Sequence, residues 1–329
     1  MGSVAPAYLM SIIMTLASVF LGLFSSSIFM FWLSMELSVC SFCGVLSFIE
    51  KSSGGMIAKY FIISAFSGVV FLCGLLLDWS GALSEGWEDS MIIGWIFFMC
   101  MYVKLGLPPF HFWVVGVVWG CTWFSAALLL TLQKMLPFLA MSTTVGFSGL
   151  LIPICLLSSV LASLGGLNHY EPYYLIAYAS MITSNWLVVV SFFSLNIFFL
   201  SMALYSFVIF MLLFSFREKS WGIGFTQFSP WFLMTILLLV GLPNGPIFML
   251  KVLIYGSLLS FGCLTGSWLI GITSVFLIPL YLRLVALVST SGWGWMLNNY
   301  PLGNKDFFIL LLVSSAFVFS GLGWSVVLL

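Results

Sequence analysis

Apolar tracts of about 20 residues make up most of this chain, and they restrict its fold more than any other feature. Proline, glycine and charged residues separate the tracts, and the first charged residue in the chain is Glu36. A helix of roughly 20 apolar residues matches the thickness of the bilayer core. The eleven predicted spans cover residues 7–24, 27–49, 57–77, 90–121, 123–141, 146–165, 173–191, 196–216, 229–263, 267–290 and 306–328.

Composition favours the same conclusion. Hydrophobic residues make up 63% of the 329 positions and charged residues 5%, whereas soluble domains carry about 25% charged residues. Nine basic residues balance nine acidic ones, which disfavours a nucleic-acid partner because such proteins present a basic surface. We therefore predict an all-α polytopic membrane protein. Its first helix is expected to be retained, since no basic residue precedes Lys51 and no cleavage site is apparent.

Basic residues in the predicted loops lie on one face of the membrane only. Alternating crossings place Lys51, Arg217, Lys219 and Lys305 in loops on that face. The opposite face has the loop 78–89, which contains four acidic residues and no basic one. Because lysine and arginine are enriched in inner loops, we predict an inner N-terminus and an outer C-terminus. The role of the acidic loop is left unassigned.

Two predicted spans, 90–121 and 229–263, are too long for one simple crossing, and each is interrupted by proline and glycine. Proline removes a backbone donor and clashes with the preceding turn. Backbone groups freed at that depth persist only inside protein or beside a hydrated cavity. The predicted breaks are at Pro108 and Pro109 in the first span and at Pro243, Gly245 and Pro246 in the second.

The positions of the two interrupted spans predict an inverted repeat. They are the fourth and the ninth crossings, so they run in opposite directions through the membrane, as in antiporter-like transporters. A simple proline kink is the alternative. Within a single membrane domain of residues 1–329, we predict a first repeat at 1–145 and a second at 146–290. A C-terminal loop and helix follow at 291–329.

A few charged residues remain inside the predicted spans. A charge at the centre of a membrane helix costs roughly 2.5–3.5 kcal/mol, so such groups persist where they pair with each other or line a wet path. Arg283 lies near the inner end of its span and can extend to the interface. The others are Glu36, Lys104, Lys134 and Lys251.

These buried charges suggest a proton relay. Under this hypothesis, making or breaking a Glu36–Lys104 pair switches Lys104 between holding and releasing a proton, which then passes to Lys134 and Lys251. The alternative for the pair is a salt bridge that only fixes helix packing. His111 has two interpretations, one as a cap of the broken backbone and one as a proton relay.

No metal or cofactor is expected in this chain. Cys40 and Cys43 form a lone C-x-x-C pair, and one such pair does not fill a four-ligand site. We interpret both cysteines as small packing residues.

Several stretches resemble the chain 2 family of mitochondrial NADH:ubiquinone oxidoreductase, respiratory complex I. The most specific is KLGLPPFHFW at 104–113, followed by LTLQKMLPF at 130–138. The other matching stretches are FWLSMELS at 31–38, AKYFIIS at 58–64, GGLNHYEPYYLIAYASMITSNW at 165–186, VGLPNGPIFMLKVLIY at 240–255 and LYLRL at 280–284. The resemblance covers nearly the whole chain in order, and the segment 168–172 is the most divergent.

The resemblance implies an antiporter-like, proton-translocating subunit of complex I. The family's glutamate–lysine pair corresponds to Glu36 and Lys104, its central lysine to Lys134 and its terminal lysine to Lys251. It also implies the inner mitochondrial membrane, with the matrix on the inner face. The expected partners are other complex I subunits, above all neighbouring antiporter-like ones, and phospholipids such as cardiolipin. FMN, iron–sulfur clusters and ubiquinone are expected in other subunits, so this chain would belong to an NADH:ubiquinone reductase without carrying its redox centres.

Two other functions stay open at this point. One is a stand-alone multisubunit cation/proton antiporter subunit, which shares buried lysines of this kind. The other is a non-pumping structural subunit of the membrane arm, for which the line of buried charges would be vestigial. Copurification with dozens of other chains would exclude the free antiporter.

Overall fold

The computed structural model describes residues 4–49, 54–80, 87–144, 151–193, 195–217, 246–260, 262 and 264–290. Regular structure in these residues is entirely helical, which confirms the all-α prediction. The helices are α1 Val4–Leu23, α2 Ile28–Ile49, α3 Gly55–Ser80, α4 Trp87–Leu105, α5 Phe112–Gly120, α6 Trp123–Leu130, α7 Leu132–Thr144, α8 Leu151–Gly166, α9 Pro172–Ser191, α10 Leu195–Arg217, α11 Pro246–Ser260 and α12 Leu264–Thr290.

The described helices are those of a multi-pass membrane protein. Seven helical stretches within the described ranges are long and apolar enough to cross a bilayer. Shorter apolar helices cover Ile92–Leu105, Leu151–Gly166 and Leu250–Leu259. The predicted last span, 306–328, lies outside the described residues, as does the segment 229–245 of the ninth span.

The outer faces of the first three helices are apolar. Met10 and Phe20 on α1 and Ile62 and Phe66 on α3 are each more than half exposed. Water would penalise this surface, whereas hydrocarbon is as apolar as the side chains themselves. These faces are therefore suited to contact with lipid.

The chain forms two compact units, residues 1–148 and residues 149–329. In the first unit, α7 packs against α1, α2, α4 and α6, while α3 packs against α2, α4 and α5. This arrangement surrounds α7, which carries Lys134, with the helices that carry Glu36 and Lys104. The inverted-repeat relation between 1–145 and 146–290 stays a prediction.

In the second unit, α9 is the central helix. Every residue from Leu175 to Ser191 is buried, and α9 packs against α8, α10, α11 and α12. A helix that is buried on all sides is apolar all round, and its polar residues must find partners nearby. The Ser180 hydroxyl accordingly donates to the Ala177 carbonyl of its own helix at 2.7 Å.

The predicted break in the fourth span is present. Helix α4 ends at Leu105 and α5 begins at Phe112, and Gly106 has φ +66°, a conformation that glycine adopts without steric cost. In the ninth span α11 begins at Pro246, a first-turn position where the missing N–H is tolerated. Pro243 and Gly245 lie outside the described residues.

The fifth span contains a further interruption, which the sequence pattern does not predict. Helices α6 and α7 meet at Thr131, whose backbone has φ −115° and ψ −74°. Its hydroxyl donates to the Ala127 carbonyl at 2.7 Å, and its own carbonyl accepts from the Lys134 N–H at 3.2 Å. A threonine hydroxyl that bonds to the helix backbone competes with the regular ladder, which accounts for the break immediately before Lys134.

Candidate functional site

Glu36 and Lys104, the two charged residues that were predicted to pair, are in direct contact. Lys104 Nζ lies 3.0 Å from Glu36 Oε1, and the two side chains are 7% and 26% exposed respectively. Glu36 is on α2 and Lys104 is in the last turn of α4. Helix carbonyls carry partial negative charge at that end, so this position favours a cation. Lys104 is the more buried of the two, so removal of Glu36 would leave a desolvated charge uncompensated.

A small cavity in the first unit brings Lys104 and Lys134 together. Its volume is about 20 Å³, which is enough to accommodate a water molecule. The polar residues in its lining are the two lysines, Tyr60, Ser64 and Gln133. Ionisable side chains inside a membrane protein often mark an ion or proton path. The two lysines therefore share one small polar cavity with a phenol, a hydroxyl and an amide group.

Lys134 lies on a part of α7 that is irregular on both sides. The residue is 4% exposed and follows the break at Thr131. Three residues further on, Pro137 lies inside the helix and has no N–H to donate to the Gln133 carbonyl. Backbone irregularity at this depth is typical of helices that line a cavity.

Gln133 connects α7 to two other helices. Its side-chain carbonyl accepts from the Tyr60 hydroxyl at 3.2 Å and from the Ser38 hydroxyl at 3.3 Å. Its amide nitrogen donates to the Ser38 backbone carbonyl at 3.1 Å. The amide group therefore holds α7 against α2 and α3 next to Lys134.

The break between α4 and α5 is stabilised by side chains that contact the exposed backbone. The Trp113 indole N–H donates to the Val103 carbonyl at 3.1 Å, and the Gly106 N–H donates to the same carbonyl at 3.0 Å. The Val103 carbonyl in the last turn of α4 therefore accepts hydrogen bonds from within the protein, as a helix end in a membrane requires.

His111 also contacts the backbone at this break. Its Nδ1 donates to the Pro109 carbonyl at 3.2 Å, and its ring lies 4.2 Å from that of Phe112 between centroids. The contact corresponds to the capping interpretation of His111. Its part in proton transfer stays a prediction.

Lys251 occupies the second unit, on α11. Its Nζ lies 5.9 Å from the centroid of the Trp186 ring on α9, within the range of a cation–π interaction. Trp186 is fully buried, and its indole N–H donates to the Thr273 hydroxyl on α12 at 3.1 Å. Three helices therefore meet beside this lysine.

Arg283 contacts the loop between α8 and α9. Its guanidinium donates to the Leu167 carbonyl and, at 3.5 Å, to the His169 carbonyl. It also lies 5.2 Å from the centroid of the Tyr170 ring. The side chain therefore extends from α12 to the loop that follows α8.

No candidate metal site occurs within the residues that the structure describes. Nowhere in these ranges do three His, Cys, Asp or Glu side chains approach closely enough to hold a metal ion. Cys40 is exposed and Cys43 half-buried, both as free thiols.

Several residues that the structure brings to these sites were not predicted from the sequence. They are Ser38, Tyr60, Ser64 and Gln133 in the first unit, and Trp186 and Thr273 in the second. Gln133 could have been found from the sequence, because a polar amide in the middle of an apolar span is unfavourable unless it has hydrogen-bond partners. The others are ordinary residues of membrane helices, and only packing reveals their partners.

Comparison with known proteins gives a consistent result. No family model matches the sequence. A curated NADH-ubiquinone oxidoreductase chain 2 from Branchiostoma lanceolatum is 35% identical over 164 residues, which cover 48% of this chain and 47% of that protein. The same protein from Suricata suricatta is 26% identical over 297 residues, or 85% of each chain. The chain is therefore similar in sequence to these chain 2 proteins. The region that aligns with the Branchiostoma relative covers about half the length of that protein.

Solved structures show the same fold at lower identity. A chain of respiratory complex I from Thermus thermophilus aligns with a TM-score of 0.67 and 19% identity, over 96% of this chain and 78% of that one. A chain of the Mrp complex from Dietzia sp. aligns with a TM-score of 0.72 and 14% identity, over 85% of this chain and 59% of that one. These likenesses show that this chain shares the fold of the two membrane-complex chains.

Proposed function

We propose that this chain is the proton-translocating, antiporter-like chain 2 of a respiratory complex I. In that role it couples electron transfer from NADH to ubiquinone to proton movement across the membrane. The observation that carries the proposal is the shared cavity of Lys104 and Lys134, with Lys104 held by Glu36. The names of the homologous proteins support the same assignment.

The proposed step within the first unit moves one proton between two amines. While Glu36 is ionised and paired, it stabilises the charged form of Lys104. When the pair opens, Lys104 gives up its proton through a hydroxyl or water in the cavity, becoming a neutral amine. Lys134 accepts that proton and becomes charged. Lys251, in the second unit, is the proposed terminal lysine of the relay.

The wider setting follows from the same assignment. The proposed location is the inner mitochondrial membrane, with the N-terminus in the matrix and the C-terminus in the intermembrane space. The proposed partners are neighbouring antiporter-like subunits and phospholipids. NADH, FMN, iron–sulfur clusters and ubiquinone would be bound by other subunits. The distribution of basic loop residues supports this orientation.

A subunit of a stand-alone cation/proton antiporter is the second candidate. Its support is the likeness to the Mrp chain, whose TM-score of 0.72 exceeds the 0.67 of the complex I chain. Affinity purification of the native chain separates the two proposals. Copurification with redox subunits that oxidise NADH supports complex I, whereas copurification with membrane antiporter subunits alone supports the second candidate.

Substitution of the central lysine tests the proposed function directly. Lys134→Met, in the assembled complex in proteoliposomes, is expected to abolish proton pumping because methionine keeps the volume but cannot carry a proton. Lys59→Met is the matched control, since Lys59 is exposed on α3, and it should pump normally. Full pumping by Lys134→Met would remove Lys134 from the path and favour a non-pumping structural subunit.

A further inference from the structure

Gly68 on α3 lies directly against the carboxylate of Glu36. A Cβ atom placed on Gly68 would be 1.9 Å from Glu36 Oε1, 2.7 Å from Cδ and 3.2 Å from Oε2. All three distances are shorter than an ordinary contact of about 3.5–4.0 Å between such atoms. The Glu36 carboxylate therefore occupies the space that any side chain at position 68 would need.

A second contact fixes this part of α3 against α2. The Trp32 indole N–H donates to the Gly68 carbonyl at 2.9 Å. Trp32 precedes Glu36 by four residues on α2, so both side chains lie on the same face of that helix. The backbone of Gly68 is consequently held beside Glu36 by one hydrogen bond, while its missing side chain leaves room for the carboxylate.

The same carboxylate oxygen is the one that contacts Lys104. Oε1 of Glu36 lies 3.0 Å from Lys104 Nζ, and it is also the atom nearest to the added Cβ. A side chain at position 68 would displace the oxygen that forms the ion pair.

We propose that Gly68 is a positioning residue for Glu36, and that its lack of a side chain allows the carboxylate to reach Lys104. This inference rests on the proposed function, because it assigns to Gly68 the geometry of the proposed proton switch. A carboxylate at the end of a flexible side chain can turn away from an added methyl group. The substitution is therefore expected to disturb the ion pair rather than the packing of α2 and α3.

The test compares two glycine-to-alanine variants in the assembled complex. Gly94→Ala is the matched control, because Gly94 is also on a membrane helix and an added Cβ there meets nothing within 4 Å. In proteoliposomes, Gly68→Ala should lower the rate of proton translocation about tenfold, the scale expected for loss of one charge-assisted hydrogen bond. Gly94→Ala should pump at the unmodified rate. Equal pumping by the two variants would overturn the inference.

A shorter carboxylate provides a test that a purely structural role would not pass. Glu36→Asp removes one methylene, so the carboxylate is withdrawn from the methyl group that Gly68→Ala introduces and also from Lys104. Gly68→Ala should therefore lower pumping when position 36 is Glu, and should cause no further loss when position 36 is Asp. If Gly68→Ala lowers pumping by the same factor in both backgrounds, the effect comes from helix separation and the inference is wrong.

The same two substitutions decide the case in which Gly68→Ala alone does not assemble. Assembly restored by Glu36→Asp shows that the added methyl group conflicts with the carboxylate and supports the inference. Failure of the double variant, when Glu36→Asp alone assembles, shows that the methyl group separates the helices and overturns it. Glu36→Gln separates this inference from the proposed function. Full pumping by Glu36→Gln defeats the proposed function itself, whereas loss of pumping there combined with normal pumping by Gly68→Ala defeats only the role of Gly68.

Discussion

The ammonium of Lys251 lies 5.9 Å from the centroid of the Trp186 ring, on a different helix. The face of an indole ring is electron-rich and attracts a cation, with a contribution of about 0.5–2 kcal/mol that grows as water is excluded. Trp186 is fully buried, which strengthens the contact, although the distance lies near the outer limit of about 6 Å for such interactions. The ring therefore stabilises a charged lysine at a depth where charge is costly.

Replacement of the Trp186 ring is expected to impair the function of Lys251. Trp186→Leu removes the aromatic face and should reduce proton pumping more strongly than Trp186→Phe, which retains one. Thr273→Val is the control for the hydrogen bond from the indole N–H, and it should resemble Trp186→Phe. Pumping is measured per NADH oxidised by the assembled complex. Equal losses in Trp186→Leu and Trp186→Phe would show that the aromatic face does not matter.

Loss of the Gln133 amide should destabilise the first unit. Gln133→Leu removes the hydrogen bonds to the Tyr60 hydroxyl and the Ser38 carbonyl, at about 1 kcal/mol each. Tyr60→Phe removes one of the two and should cost about half as much. The measurement is the half-life of the assembled complex at one elevated temperature. In the double variant, Tyr60→Phe should add little to Gln133→Leu, because the two residues share a bond. Fully additive losses would contradict this coupling.

The break after α4 should depend on glycine at position 106. Gly106 has φ +66°, and an added Cβ would lie 2.0 Å from a methyl carbon of Val114. The left-handed conformation costs an alanine about 1–2 kcal/mol, and overpacking adds about 1–3 kcal/mol. Gly106→Ala should therefore shorten the half-life of the complex on heating.

Gly116→Ala is the control for that prediction. Gly116 lies on α5, and an added Cβ there meets nothing within 4 Å. Alanine favours a helix over glycine by roughly 0.5–1 kcal/mol, so this variant should be as stable as the original or slightly more stable. If Gly106→Ala is as stable as Gly116→Ala, the turn does not require glycine.

The predicted sites differ in how far the sequence could define them. The break at Pro108 and Pro109 was predictable because proline cannot continue a helix, and the structure has it between Leu105 and Phe112. The break at Thr131 was not predictable, since a threonine hydroxyl bonds to the backbone in many intact helices. We expected Glu36 to pair with Lys104 because an unpaired charge inside a membrane helix has a high free-energy cost, which an opposite charge offsets. The sequence did not indicate that Gly68 and Trp32 fix the position of Glu36.

The sequence by itself determined that this protein lies in a bilayer and which charged residues fall within its apolar spans. Apolar tracts of bilayer length require membrane helices, and a charge inside one of them is informative because hydrocarbon penalises it. Only the tertiary structure decided which polar side chains surround those charges. Tyr60, Gln133 and Lys104 are distant in the chain, and they line one cavity because α3, α4 and α7 pack together. Side-chain partners of this kind depend on how helices pack, and that information is not contained in local patterns of residues.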